Sequence, residues 1–306
     1  MIVELPDTTT AAVTKTLVRL RDEGGAVALG RVLTLVIDAG SGDVEPAVDA
    51  ANDASREHPC RVIVLTHDAR RTTARLDAQI RVGGDAGASE VIVLTASGEL
   101  LKHADTLVMP LLLPDAPIVV WWPYEVPDRP AEHPIGAMAQ RRITDTLACT
   151  DPVASLKRLR AAHTAGNTDL AWTRLTRWRG LLAAALDQPP YEPVTRAEVT
   201  GHQTHPSVVL LAAWLAQALH CPVDIVREQD APGITKVVLT RASGPVVIAR
   251  PDGRIAFLDQ PGQPERRTAM PLRELHECLA EELRRLDPDE VYGEVLVDGL
   301  ARVGVA

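Results

Sequence analysis

Side chains suited to chemistry are few in this 306-residue sequence. Thr66-His67-Asp68-Ala69-Arg70-Arg71 follows an apolar run. Open α/β sheets gather ligands beyond the carboxyl ends of their strands, so His67, Asp68, Arg70 and Arg71 could hold a phosphorylated small molecule there. A solvated loop is the simpler account. Gly40-x-Gly42 sits where a phosphate-binding loop would sit, but the third glycine is missing, and Asp38 and Asp43 place negative charge where a pyrophosphate would lie. A strand-to-helix turn capped by Asp43 is expected instead, and Gly83-Gly84-Asp85-Ala86-Gly87 reads as a second turn. His202-x-x-His205 offers two imidazoles, yet no carboxylate stands at a matching spacing and Pro206 opens a helix just after, so no metal is assigned. No G-x-S-x-G, H-E-x-x-H or Walker-type loop occurs. The sequence therefore assigns no catalytic residue and no cofactor, without excluding an enzyme.

The segment Asp169 to Arg179 (DLAWTRLTRWR) is more informative. On a helix, Trp172, Leu175, Trp178, Leu182 and Leu186 share one stripe, with Arg179 at its edge and Arg174 and Arg177 on another side. Core packing is the simplest account of the stripe and a solvated face the simplest account of the arginines. An arginine on an apolar stripe needs a carboxylate or a route to water, because an unpaired buried charge is costly. Charge distribution adds weight to a binding role. Residues 151–180 carry six cations (Lys157, Arg158, Arg160, Arg174, Arg177, Arg179) against two acids, whereas residues 274–294 carry eight acids against two arginines. Either the two regions face each other or the basic one steers an acidic partner. Trp and Arg often dominate protein–protein binding energy, so Trp172, Arg174, Arg177, Trp178 and Arg179 are the partner-binding candidates. Trp121 and Trp122 join them, with at most one free, because alternate strand residues face opposite ways.

These residues need a scaffold, and hydrophobic periodicity supplies one. Helices are predicted over 8–22, 44–57, 152–165, 169–187 and 206–220, with another starting at Ser97 and a last one striped by Leu272, Leu275, Leu279, Leu283 and Leu286. Strands are predicted at 31–38, 60–66, 75–82, 89–96, 117–122 and 142–149, then at 195–200, 223–228, 235–241, 245–250 and 254–258. Strands alternating with helices indicate an α/β domain over 1–150, a mostly parallel sheet with helices on both faces. A helical connector over 151–188 and a smaller α+β domain over 189–306, with an antiparallel sheet, complete the expected order.

Composition narrows the function classes. A formal charge of −9 argues against a nucleic-acid or anionic-membrane surface. No apolar run approaches the roughly 20 residues that span a bilayer. The N-terminal Met1-Ile2-Val3-Glu4-Leu5-Pro6 lacks a secretory pattern, and Cys60, Cys149, Cys221 and Cys278 form no C-x-x-C pair, so a cytoplasmic protein with reduced thiols is expected.

Four stretches resemble the family of glucose-6-phosphate dehydrogenase assembly proteins called OpcA. They are His58-Pro59-Cys60-Arg61, Met109 to Pro123 (MPLLLPDAPIVVWWP), Asp169 to Arg179, and Leu210 to Ala216 (LLAAWLA), in the family's order. The resemblance implies a non-catalytic subunit that binds glucose-6-phosphate dehydrogenase, aids its assembly and raises its activity. NADPH production in the oxidative pentose phosphate pathway would then depend on the partner's cofactor. The resemblance also touches thiol control in photosynthetic relatives, although Cys60 heads a strand expected to be buried and inert. A phosphometabolite-binding or hydrolytic α/β enzyme using the His67–Arg71 loop is the alternative.

Overall fold

The computed structural model describes residues 1–23, 30–83 and 90–304, which form two compact units. The first unit comprises Met1–Asp145 and Leu275–Pro288; the second comprises Thr146–Glu274 and the chain from Asp289 onward. Residues 151–188, read from the sequence as a connector, therefore fold within the second unit, and 275–288 return to the first.

The first unit opens with β1 (Ile2–Leu5), α1 (Thr10–Glu23), β2 (Leu33–Gly40), α2 (Val44–Ala54), β3 (Cys60–His67), β4 (Arg75–Arg81) and β5 (Glu90–Ser97). A 3₁₀ stretch (Gly98–His103) leads into α3 (Ala104–Val108), followed by β6 (Ile118–Trp122) and β7 (Arg141–Thr144). Within this unit the strand order is β1-β4-β5-β3-β2-β6-β7. The five strands from β5 to β7 are parallel, while β4 runs antiparallel to both β1 and β5. Strands β2, β3 and β5 are buried along almost their whole length, as their continuous apolar runs require when both faces are covered. Val36, Ile63, Leu65, Ile92, Leu94, Val120 and Trp122 form one face and pack with Val13, Leu17 and Leu20 of α1 and with Leu107 and Val108 of α3. α2 lies outside that cluster and packs on β2 and β3. The residues expected to turn at 84–87 lie outside the described residues.

One charged node interrupts this core. Glu90, at the start of β5, has a side chain 2% exposed and meets three arginines, Arg21 at 3.1 Å, Arg31 at 2.6 Å and Arg61 at 3.3 Å. Arg61 also donates to the carbonyl of Leu111 at 2.6 Å. Full burial of a lone carboxylate would be prohibitive, so this node exists only because the cations surround it.

The second unit begins with α4 (Pro152–Ala161), β8 (Asn167–Asp169), α5 (Leu170–Thr173) and α6 (Thr176–Leu186). It continues with β9 (Arg196–His202), α7 (Pro206–Leu219), β10 (Val223–Glu228), β11 (Ile234–Thr240), β12 (Val246–Ala249), β13 (Ile255–Asp259) and β14 (Arg266–Ala269). Its six-stranded sheet has the order β10-β9-β11-β12-β13-β14 and is antiparallel except for β9 and β10. Those two are parallel because α7 carries the chain back across the sheet before β10 begins, the connection that parallel neighbours need. α7 is apolar on nearly every side and buries ten of its fourteen residues, as a helix without a polar face must. Three further helices follow: α8 (Leu275–Arg284), which packs on α2 in the first unit, and, in the second, α9 (Glu290–Glu294), which leads through a π turn at Val295–Gly299 into α10 (Leu300–Arg302).

Candidate functional site

In the first unit the sheet reverses direction of growth between β2 and β6, and the crevice beyond their carboxyl ends is where such sheets bind ligands. Here it is filled by the protein's own side chains. Gly40 takes a left-handed φ of +54°, and a Cβ on Gly42 would stand 2.3 Å from Cδ2 of Tyr124. The Tyr124 hydroxyl donates to the Asp43 carbonyl at 2.6 Å, and Asp43 caps α2 by accepting from the Glu45 amide at 3.2 Å. Trp122 Nε1 donates to Asp38 Oδ2 at 3.2 Å. The Gly40-x-Gly42 turn is thus a packed strand-to-helix connection.

The His67–Arg71 loop borders the same end of the sheet. His67 Nε2 lies 3.8 Å from Asp38 Oδ1. Asp68 accepts from the Arg70 amide at 3.1 Å and pairs with Arg71 at 3.2 Å, while Arg71 also reaches Asp77 at 3.5 Å. Asp68 and Asp77 therefore stand against the Arg71 guanidinium and Asp38 against His67, while Arg70 is exposed.

The Trp/Arg segment lies in the second unit, and there its two indoles are interior. Trp172 and Trp178 are 1% and 2% exposed. Trp121 and Trp122, on opposite faces of the first unit's sheet, are both buried, so neither is free. Indole rings carry more apolar area than any other side chain, and all four spend it on the interior. The helix is also not continuous: α5 ends at Thr173 and α6 starts at Thr176. Asp169 fixes the start of α5 by accepting from the Ala171 amide at 2.9 Å, the Thr146 amide at 3.0 Å and the Thr146 hydroxyl at 2.9 Å. Trp172 Nε1 donates to Asp289 Oδ2 at 2.8 Å, and the Arg179 guanidinium lies 3.8 Å from the centre of the Trp172 ring. Arg174, Arg177 and Arg179 are half-buried, and Arg177 donates to the Pro271 carbonyl at 3.1 Å.

Beside this corner the second unit holds a cavity of about 150 Å³ lined by Arg174, Trp178, His205, Arg250 and Arg273, with the backbone of Gly233 on one side. Arg250 follows β12, and its guanidinium donates to the carbonyls of Met270 and Ile234 at 3.2 and 3.3 Å and lies 5.1 Å from the Trp178 ring centre. Arg273 donates to the Thr173 carbonyl at 2.8 Å. His205 caps α7: its Nδ1 accepts from the Ser207 amide at 3.2 Å, which assigns the neutral ring's proton to Nε2. Burial drives His205 down to about 4, and the positive charges of Arg174, His202 and Arg250 push the same way. His205 was singled out in the sequence as a metal ligand to be set aside. Among the described residues no group of three metal-ligating side chains exists, and His202 Nδ1 faces the Thr204 amide at 3.3 Å. Sequence reasoning missed Arg250 and Arg273, which no spacing ties to His205.

Family models described as the N-terminal and C-terminal domains of a glucose-6-phosphate dehydrogenase subunit match residues 51–161 and 165–296. The chain belongs to the OpcA family. A Nostoc punctiforme protein assigned the name OxPP cycle protein OpcA is 26% identical over 250 residues, covering 76% of this chain and 53% of the relative. A Synechococcus elongatus protein with the same name is 28% identical over 149 residues, or 45% of this chain and 34% of that one. The matched region thus spans about half or less of these OpcA relatives' length. Among solved structures, myo-inositol dehydrogenase from Lactobacillus casei is similar at a TM-score of 0.42 and 10% identity, over 89% of this chain and 94% of that chain. A likeness that low carries no argument about fold or activity. The OpcA stretches have structural duties here: Arg61 holds Glu90 and Leu111, Trp122 holds Asp38, Asp169 and Trp172 fix the α5 corner, and Leu210 to Ala216 lies in the buried α7.

Proposed function

We propose that this chain is a non-catalytic assembly factor and activator that binds glucose-6-phosphate dehydrogenase and favours its active oligomer or state. NADPH production in the cytoplasm, through the oxidative pentose phosphate pathway, would rise as a result. The observation that carries the reading is the pair of family matches, which between them take in most of the chain under a description naming that enzyme's subunit. An activator of this kind works only by differential affinity. To raise the active fraction tenfold from a small minority it must bind that state about tenfold, or about 1.4 kcal/mol, more tightly than the idle one.

The proposed contact differs from the Trp/Arg segment read in the sequence. The indoles are interior, and the proposed contact takes in the half-buried Arg174 and Arg177 and the exposed Lys157 and Arg158 of α4, beside the contacts these side chains make within the protein. The test is a dehydrogenase rate measurement with and without this protein, beside size-exclusion chromatography of the mixture. A higher rate and a new, larger species are expected, and Arg177→Glu combined with Arg158→Glu should weaken both. A dehydrogenase indifferent in rate and size overturns the reading; full activation by the double variant overturns only the contact.

A further inference from the structure

We propose that the free edge of β14, together with Tyr191, is a docking surface of the second unit, and that it takes an extended acidic segment of another protein as an added strand. It requires nothing of the dehydrogenase association.

Backbone geometry supplies the template. β14 is the last strand of its sheet, and Arg266–Ala269 is exposed throughout. The Met270 amide donates to the Arg254 carbonyl at 2.7 Å, which makes those two residues a hydrogen-bonded pair. Antiparallel pairs alternate, so Thr268 and Arg266 bond to Ala256 and Leu258, and Arg267 and Ala269 turn their amides and carbonyls away from β13. No strand among the described residues meets these groups. Natural sheets blunt such edges with proline, a bulge or charge. β14 contains no proline and keeps an unshifted register with β13, so it is regular enough to pair with a further strand.

Tyr191 supplies an anchor. It is 78% exposed, the most exposed large apolar side chain among the described residues. It stands in Gln188-Pro189-Pro190-Tyr191-Glu192-Pro193, a segment braced on the sheet. Arg241 donates to the Pro190 carbonyl at 3.2 Å, and the Ser243 amide donates to the Glu192 carboxylate at 2.9 Å. The same segment reaches β14, where Arg266 donates to Gln188 Oε1 at 2.8 Å. Blunting an edge accounts for arginines but has no need of a tyrosine fixed beside them. Tyrosine offers a large contact area for few rotatable bonds, which suits a binding anchor.

Charge selects the occupant. Arg266 has only the neutral amide of Gln188 as a partner among the described residues. Arg267 pairs with Glu265 at 3.2 Å, with side chains 70% and 47% exposed, and an exposed pair of this kind holds weakly. Arg254, near the start of β13, already has Asp252 beside it. Two cations against one anion thus mark this edge in a chain of formal charge −9, which favours an acidic strand over a basic one. A second copy paired through the same edge would set arginines against arginines, and like charges opposed across strands destabilise.

The test uses the full chain and a capped peptide, Thr-Glu-Val-Glu-Val-Glu-Thr, beside the same peptide with Lys for each Glu. Calorimetric titration is read with amide hydrogen exchange and size-exclusion chromatography. The acidic peptide should bind saturably, with a Kd below about 1 mM, and slow exchange of the Arg267 and Ala269 amides at least about tenfold. The basic peptide should bind at least about tenfold more weakly. Tyr191→Ser, and Arg266→Glu combined with Arg267→Glu, should each weaken binding about tenfold or more. Ala269→Pro removes an outward amide without breaking a bond to β13, and should weaken binding as much. Lys102→Glu in the first unit is the unaffected control. No saturable binding, equal binding of the two peptides, or unchanged affinity in the folded Tyr191, Arg266/Arg267 and Ala269 variants overturns the proposal. A dimer that Ala269→Pro abolishes would make a second copy the occupant, and overturns it too.

Discussion

Replacing Glu90 with Gln removes one negative charge from a node that holds three positive ones. The two more exposed arginines, Arg21 at 40% and Arg31 at 24% side-chain exposure, can turn toward water, and their pairs are worth about 0–1 kcal/mol each. Arg61, at 6%, has no such route and keeps only the Leu111 carbonyl. Removing the partner of a buried ion costs about 3–5 kcal/mol, and the retained carbonyl places the expected loss near the lower end, about 3 kcal/mol. In a unit of this size that corresponds to a fall in melting temperature of roughly 6–12 °C. The assay is urea and thermal unfolding followed by tryptophan fluorescence, with Arg21→Gln as the reference because it removes only the most exposed arm. If Glu90→Gln costs no more than Arg21→Gln, the node is not holding the start of β5 and the reasoning is wrong.

Two other outcomes are expected. The folded protein releases the His205 proton near pH 4, whereas an unfolded histidine titrates near 6.5, so the unfolded chain binds more protons between those values. The contribution of His205 to stability should therefore be level above about pH 6.5 and fall by up to roughly 3 kcal/mol as the pH drops to about 4; a His205→Asn variant whose urea midpoint keeps the same pH slope contradicts this. Burial pushes the Cys60 thiol up to about 12, so iodoacetamide at pH 8 should label the half-buried Cys149 of the native protein long before Cys60. Mass spectrometry showing equal labelling rates would refute it.

Much of the first unit was legible because its strands are long, apolar and β-branched. RVLTLVID, CRVIVLT and SEVIVLTA became β2, β3 and β5 with boundaries moved by a residue or two. β14 was not legible: Arg266–Ala269 is exposed throughout, so no alternation marks it. The parallel pairing of β10 was hidden because strand direction is set by α7's path and not by residues 223–228. The predicted helix over 169–187 is divided between Thr173 and Thr176, and two bonds that hold α5 in place, from Thr146 to Asp169 and from Trp172 to Asp289, are tertiary, the latter joining residues 117 apart. The same long range hid the candidate site. Arg179's place on the Trp172 face followed from helical spacing, but His205, Arg250 and Arg273 meet only once the sheet has formed. Leu272, expected to begin the last helix's stripe, is 44% exposed and precedes α8, since the apolar spacing continues past the helix that it describes.

Residues 275–288 belonging with 1–145 has a consequence for synthesis. Arg141 is 3% exposed, and the carboxylate that meets it at 2.5 Å is Glu282, made 141 residues later. During translation the first unit must wait, with a guanidinium bound for the interior still lacking its counter-charge, while the ribosome makes almost all of the second. The two units therefore cannot mature one after the other. A gene fragment stopped at residue 274 is expected to yield a first unit without α8 and without Glu282, and so one that aggregates or is degraded.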